Sequence, residues 1–109
     1  MPQTHRVLGQ SNPSANTDTT LYTVPSATQT IASTLSIANL SATATTFRVA
    51  VRPAGAAIAN SHYIAFDVPL IGNDSIHLTL GVSLAATDVV TVRAGTANVA
   101  FSLFGVEIT

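Results

Sequence analysis

The sequence predicts an all-β protein: a single antiparallel β-sandwich of seven or eight strands, open to jelly-roll connections, with an extended N-terminal arm. Three observations carry this reading. The ordered-looking runs are rich in Thr, Val, Ile, Phe and Tyr, and apolar residues alternate with polar ones along them. Turn residues separate these runs so that strands recur about every 8–12 residues, the spacing of a sandwich or barrel. No segment keeps a helical apolar period over a useful length.

The first eighteen residues differ from the rest. SNPSANTDT is polar, contains Pro13 and has no period, so residues 1–18 read as an arm and 19–109 as the sandwich domain. Within the arm, HRVLG is the one strand-like run, and whether it pairs decides between seven strands and eight. An ordered polar arm needs something to hold it, either its own domain or a neighbour.

The strands then come in order. TIASTLSIAN places Ile31, Ser33, Leu35 and Ile37 on one face and Ala32, Thr34, Ser36 and Ala38 on the other. FRVAV turns Phe47, Val49 and Val51 inward and Arg48, Ala50 and Arg52 outward. HYIAFDV alternates His62, Ile64, Phe66 and Val68 against Tyr63, Ala65 and Asp67. SIHLTLG sends Ile76, Leu78 and Leu80 inward, with His77 and Thr79 outward. DVVTVRA and NVAFSLFGVEI close the chain. In the last run Val99, Phe101 and Leu103 alternate, after which Phe104, Val106 and Ile108 take the opposite parity, with Gly105 marking a bulge or bend. Turn signals lie between the runs at VPSAT, NLSATA, RPAGAA, IGND, LAATD and AGTA. TVPSATQTIAS and TVRAGTANVAF match at several positions, and both read as one hairpin solution used twice.

The chain has 109 residues, which suits one domain burying about two-thirds of its unfolded surface. It contains no cysteine, so disulfides and thiolate metal sites are excluded. Charged residues make up only 8%, against about 25% in an average domain. All four basic residues are arginines, and the formal net charge is -1. Such a chain cannot build the basic surface of a nucleic-acid binder or a polybasic membrane anchor, so neither partner is expected. With 47% hydrophobic residues disorder is excluded as well. The surface must be mostly Thr, Ser, Asn and Ala, either because partners cover it or because it is simply uncharged. MPQTHRVLGQ has no apolar core of a signal peptide, and no apolar run approaches a membrane span.

Chemistry-bearing patterns are sparse. His5, His62 and His77 have neither metal-ligand spacing nor an adjacent acid, so ordinary surface or half-buried histidines are expected, and no metal or cofactor. Asp18, Asp67, Asp74, Asp88 and Glu107 are scattered; Asp74 and Asp88 sit where a turn carboxylate accepts from backbone N–H groups. No nucleophile elbow, phosphate loop or carboxylate pair is present, and no enzyme activity is expected. Asn39-Leu40-Ser41 and Asn73-Asp74-Ser75 match the glycosylation triplet by chance. The aromatic residues could form a carbohydrate platform, but there is no Trp, and core packing accounts better for Phe47, Phe66 and Phe101.

Arg48 and Arg52 are the candidate interface residues. An even offset puts them on one face, about 13–14 Å apart along the strand. One reading is the solvated face of a half-buried strand. The other is an interface, because arginine is favoured in contacts, the small Ala50 leaves room between them, and Asp67, Asp88 or Glu107 of a neighbouring subunit could pair with them. Arg6, Val7 and Leu8 of the arm join them as contact candidates. Pro53, lacking an N–H, should end the strand, and Ala54-Gly55 should make the exit turn.

The run ATTFRVAVRPAGAAIANSHYIAFDVPL resembles a segment of small all-β virion proteins of tailed bacteriophages, including cyanophages. VLGQSNPSANTDTTLYTVPSATQTIASTLSIAN and TANVAFSLFGVEIT are similar to the same group, so the resemblance covers nearly the whole chain. It lies in texture and short strings and includes no catalytic motif. What it implies is a structural role: a head decoration (cement) protein on the outer capsid surface, forming homotrimers and contacting the major capsid protein or other virion proteins. A tail, baseplate or fibre component is the alternative, and a small glycan-binding β-sandwich a more distant one.

Overall fold

The computed structural model describes residues 3–109. Eight strands form two four-stranded antiparallel sheets. Sheet A contains β1 (Gln3–Ser11), β8 (Val99–Ile108), β3 (Gln29–Asn39) and β6 (Ser75–Leu84), in that order. Sheet B runs β2 (Thr19–Thr23), β7 (Val89–Ala94), β4 (Thr45–Arg52) and β5 (Tyr63–Leu70). Every connection except β4 to β5 crosses between the sheets. This two-sheet winding of eight strands is the jelly-roll arrangement.

The topology corrects one expectation. The two similar strings, Thr23 to Ser33 and Thr91 to Phe101, are not hairpins: β2 and β3 lie in different sheets, as do β7 and β8. A short turn serves here as a corner between layers. The corner after β2 is stitched to the connection between β6 and β7: Val24 N–H donates to the Asp88 carbonyl at 2.9 Å, and Thr87 N–H to the Val24 carbonyl at 3.0 Å.

The arm is corrected as well. Over Gln3–Ser11 it is edge strand β1, paired along its length with β8. HRVLG therefore pairs, and the count is eight. Its polar composition hid this, because an edge strand is held by its backbone ladder and needs few apolar side chains. Asn12 anchors the strand's end, its amide donating to the carbonyls of Ala97 at 3.0 Å and Val99 at 2.7 Å. Asn16 N–H then bonds the Ala94 carbonyl at 2.8 Å as the chain crosses to sheet B. The domain itself therefore holds the arm.

The core lies between the sheets. Phe47 and Phe101 are both fully buried and meet edge-to-face, with ring centroids 6.4 Å apart. Leu35, Ile37, Val49, Val92, Val99 and Leu103 surround them, and Leu70 and Leu84 close the ends. Ile76, Leu78 and Leu80 point inward from β6 as the alternation predicts, and His77 points out.

Near Gly105 the alternation breaks, though not in the expected way. β8 keeps its parity to the end, and the strands beside it carry the inserted residues, Leu8 on β1 and Ser33 on β3. On β3 the inward face consequently runs Thr30, Ala32, then Leu35 and Ile37, leaving Ile31 and Ser33 outside. A Cβ on Gly105 would stand 2.2 Å from the Ile31 carbonyl oxygen, so only glycine admits this approach. Leu8, as the bulged residue, turns into the core, which removes it from the contact candidates.

Candidate functional site

Two outer faces collect the unexplained side chains. The first belongs to sheet B. Arg48 on β4 lies opposite two residues of β5, Phe66 and Asp67, because the register slips between Phe47 and Val49. Asp67 adopts φ 50, a left-handed conformation that Asp tolerates better than most residues. The slip brings both side chains to Arg48. Its Nε donates to Asp67 Oδ1 at 2.7 Å and its Nη2 to Oδ2 at 3.2 Å, a two-point fork. The guanidinium carbon also sits 4.1 Å from the Phe66 ring centroid. The hydrogen bonds from Arg48 hold the Asp67 carboxyl below the usual aspartate range, and Asp67 in turn raises the Arg48 guanidinium.

Two expectations fall here. Phe66 is not a core residue: it is 52% exposed on the outer face, because the bulge reverses its side. The carboxylate facing Arg48 comes from the same chain, not from a neighbour. Of the other two acids considered as partners, Asp88 accepts from the N–H groups of Ala54 and Ala85, both at 2.9 Å. Glu107 accepts from Arg6 Nη1 at 3.1 Å and from the Tyr22 hydroxyl. Asp88 thus takes the predicted turn role; Asp74 occupies its turn through backbone bonds.

Arg52 is also used internally. Its Nε donates to Thr91 Oγ1 at 3.0 Å and its Nη1 to the Ala56 carbonyl at 3.1 Å. The second bond ties down the segment after Pro53, which ends β4 as predicted and opens a 3-10 turn over Pro53–Gly55. A second 3-10 turn, Asn60–His62, comes next. His62 is therefore not on a strand beside Phe66; its Nδ1 accepts the Ala59 N–H at 3.1 Å. Tyr63 then starts β5 opposite Ala50, which is 1% exposed, so the gap expected over Ala50 is filled. Tyr63 meets Phe66 edge-to-face with centroids 4.9 Å apart, and Asn60, Tyr63 and Phe66 line a concavity of about 410 Å³.

Arg93 completes this face. It is the register partner of Arg48, and like charges directly opposite repel. Asp67 flanks the pair on one side, and Asp18, 3.8 Å from Arg93, flanks it on the other. The row Asp67, Arg48, Arg93, Asp18 is locally neutral.

The second face is the outer side of sheet A, where sequence reasoning missed a site. Because β8 keeps its parity, Phe104, Val106 and Ile108 point outward rather than inward. The register aligns them in rows across the sheet: Val7, Phe104 and Thr34; then His5, Val106 and Ile31. Val7 is 46% and Ile31 39% exposed. The strip lines a shallow depression of about 500 Å³. Arg6 also lines the depression while its Nη1 reaches Glu107, so of the three arm candidates Val7 and Arg6 border it and Leu8 does not. The signal that could have found it was Gly105 itself, read as a close backbone approach rather than a parity switch.

Asn39 of the first glycosylation triplet is buried, and its amide bonds the Thr43 and Ile71 carbonyls, so it cannot accept a glycan in the fold. Among the described residues no three His, Asp or Glu gather as a metal site. No family model matches the sequence, and no curated protein matches it.

Proposed function

We propose that this chain is a non-enzymatic structural protein of a tailed-phage virion: a capsid decoration (cement) protein that binds and stabilises the head shell as a homo-oligomer. The observation that carries the reading is the apolar strip of Val7, Ile31, Phe104, Val106 and Ile108, left outside by its own fold next to the open edge of β1. Apolar side chains grouped on a sheet's outer face mark a contact surface. A nine-residue edge strand offers unpaired backbone groups beside it. Eight-stranded jelly rolls recur in viral capsid and lectin domains, so the fold accommodates the reading while assigning no function by itself. The sequence resemblance to small virion proteins supports a place on the particle.

A cement protein works by linkage. It binds the assembled shell and not the free subunits, so its binding free energy adds to the stability of the shell against internal pressure. Copies held together in a symmetric oligomer bind jointly, and weak single contacts suffice.

Immunogold labelling of intact virions with antibody to this chain is the test. Label spread over the heads supports the decoration role. Label confined to tails overturns it in favour of a tail, baseplate or fibre component, and unlabelled virions remove the virion reading altogether.

A further inference from the structure

We propose that the outer face of sheet B carries a carbohydrate site, in which Phe66 stacks on the C–H face of a neutral pyranose, Tyr63, perpendicular to Phe66, packs against the sugar's edge, and Asn60 bonds its hydroxyls. Such a site does not depend on where the protein resides. Its first mark is an anomaly: in a chain with only six aromatic residues, two stand together outside the core. Phe66 is 52% exposed, yet its ring is held on one side by the Arg48 guanidinium, 4.1 Å from its centroid, and by the edge-to-face contact with Tyr63. A ring braced this way loses little freedom on binding.

Both arginines that drew attention in the sequence support this one place. Arg48 braces the ring, and Arg52 fastens the Ala56 carbonyl of the segment that delivers Asn60 and Tyr63. Among the described residues the Asn60 side chain makes no hydrogen bond, although Asn60 lines the concavity. Asp67 stands behind the site, each of its oxygens accepting one bond from Arg48, and so fixes the guanidinium that braces the ring.

The chemistry selects the ligand. Asp67 and Arg48 compensate one another, so neither an anion nor a cation gains from the site. A flat apolar ring beside a satisfied carboxylate and a free amide suits a molecule with one apolar face and a rim of hydroxyls. The volume of about 410 Å³ falls within the roughly 300–1,000 Å³ of small-molecule sites. A protein partner would need about 800 Å² of contact, and beyond the two rings and the exposed Ile64 this face offers compensated charges.

The test is a 1H–15N NMR titration of the full chain with methyl β-glucoside, methyl β-galactoside, methyl α-mannoside and N-acetylglucosamine in turn. At least one sugar should give saturable shifts at residues 60–67 and Arg48, with Kd on the order of millimolar. Phe66→Ala, checked for an unchanged melt, should weaken that binding about tenfold or more, whereas Val7→Ser on the other sheet should leave it unaltered. Absence of saturable shifts with all four sugars overturns the proposal. So do shifts that Phe66→Ala leaves intact, and so does a Phe66→Ala protein whose only change is a lower oligomeric mass, which would make the aromatic pair a subunit contact.

Discussion

Arg48 lies over Phe66 at 4.1 Å while gripping Asp67 with two nitrogens, so one guanidinium serves as both a ring cover and a charge partner. The slip that makes this possible puts two β5 residues opposite one β4 residue. Cutting Arg48 back to Ala should release both. All the atoms involved face solvent, so the fold should persist.

The first consequence is electrostatic. With Arg48 present, Asp67 titrates below the ordinary aspartate range. A lowered folded-state value means the pair stabilises the protein above the unfolded aspartate's pKa, and that contribution is lost as pH falls through the lowered folded value. In Arg48→Ala the Asp67 carboxyl, tracked by 13C NMR, should titrate at higher pH, moving up toward the ordinary aspartate range. An unmoved titration would mean that Arg48 does not hold the carboxylate in solution.

Tyr22 gives the opposite pH signature. It is 8% exposed, and its hydroxyl lies between Thr30 and Glu107. Burial first, and the bond to Glu107 second, push its pKa up to about 12. Below about pH 10 the phenol is protonated whether the chain is folded or not, and stability is unaffected. From about pH 10 upward the unfolded chain releases the proton while the folded one retains it. Stability should therefore fall by about 1.4 kcal/mol per pH unit, reaching about 2–3 kcal/mol by about pH 12. Urea melts from about pH 9 to 12 should show this slope, and Tyr22→Phe should lack it. Equal slopes in both proteins would rule Tyr22 out as its source.

These two sites show what the sequence could and could not disclose. Alternation sufficed for FRVAV, SIHLTLG and the first half of β8, because successive side chains along each of these runs keep to opposite faces even where a neighbouring ladder slips. Proline and turn residues placed the breaks, including Pro53. Alternation failed wherever a strand gains a residue. Leu8, Ser33 and the Phe66–Asp67 pair each flip the parity of the residues beyond them, and nothing in composition marks them. Long-range pairing was hidden too: whether Thr23 to Ser33 folds back or crosses to the other sheet depends on strands dozens of residues away. Arg48 and Arg52 were legible as an outward pair, but their intrachain partners were not.

Gly105 tests the bulge account directly. A methyl group there would meet the Ile31 carbonyl at 2.2 Å, and the surrounding backbone atoms leave no soft neighbour to yield. Gly105→Ala should destabilise by about 2–3 kcal/mol, near the upper end for overpacking. Gly81 makes the comparison: it has φ +63 but open space around its Cβ position, so Gly81→Ala should cost only about 1–2 kcal/mol of backbone strain. Chemical denaturation of both variants ranks them. The reverse order would mean that β3 and β8 separate easily at this point, contrary to a bulge locked by close backbone contact.

The apolar strip on sheet A allows a cleaner separation of folding from assembly. Val7 and Val106 lie outside the core, on strands held by backbone ladders, so Val7→Ser with Val106→Ser should change stability by no more than about 1 kcal/mol. If the strip is the contact surface, the double variant should show a lower mass in sedimentation or weaker binding to shells, because each serine replaces apolar area that the partner would have covered. Arg52→Ala is the informative control, since it loosens the segment beyond Pro53 on the opposite sheet without touching the strip. A double variant with unaltered mass and shell affinity would exclude the strip as a contact. Loss of both on Arg52→Ala instead would move the assembly surface to the outer face of sheet B.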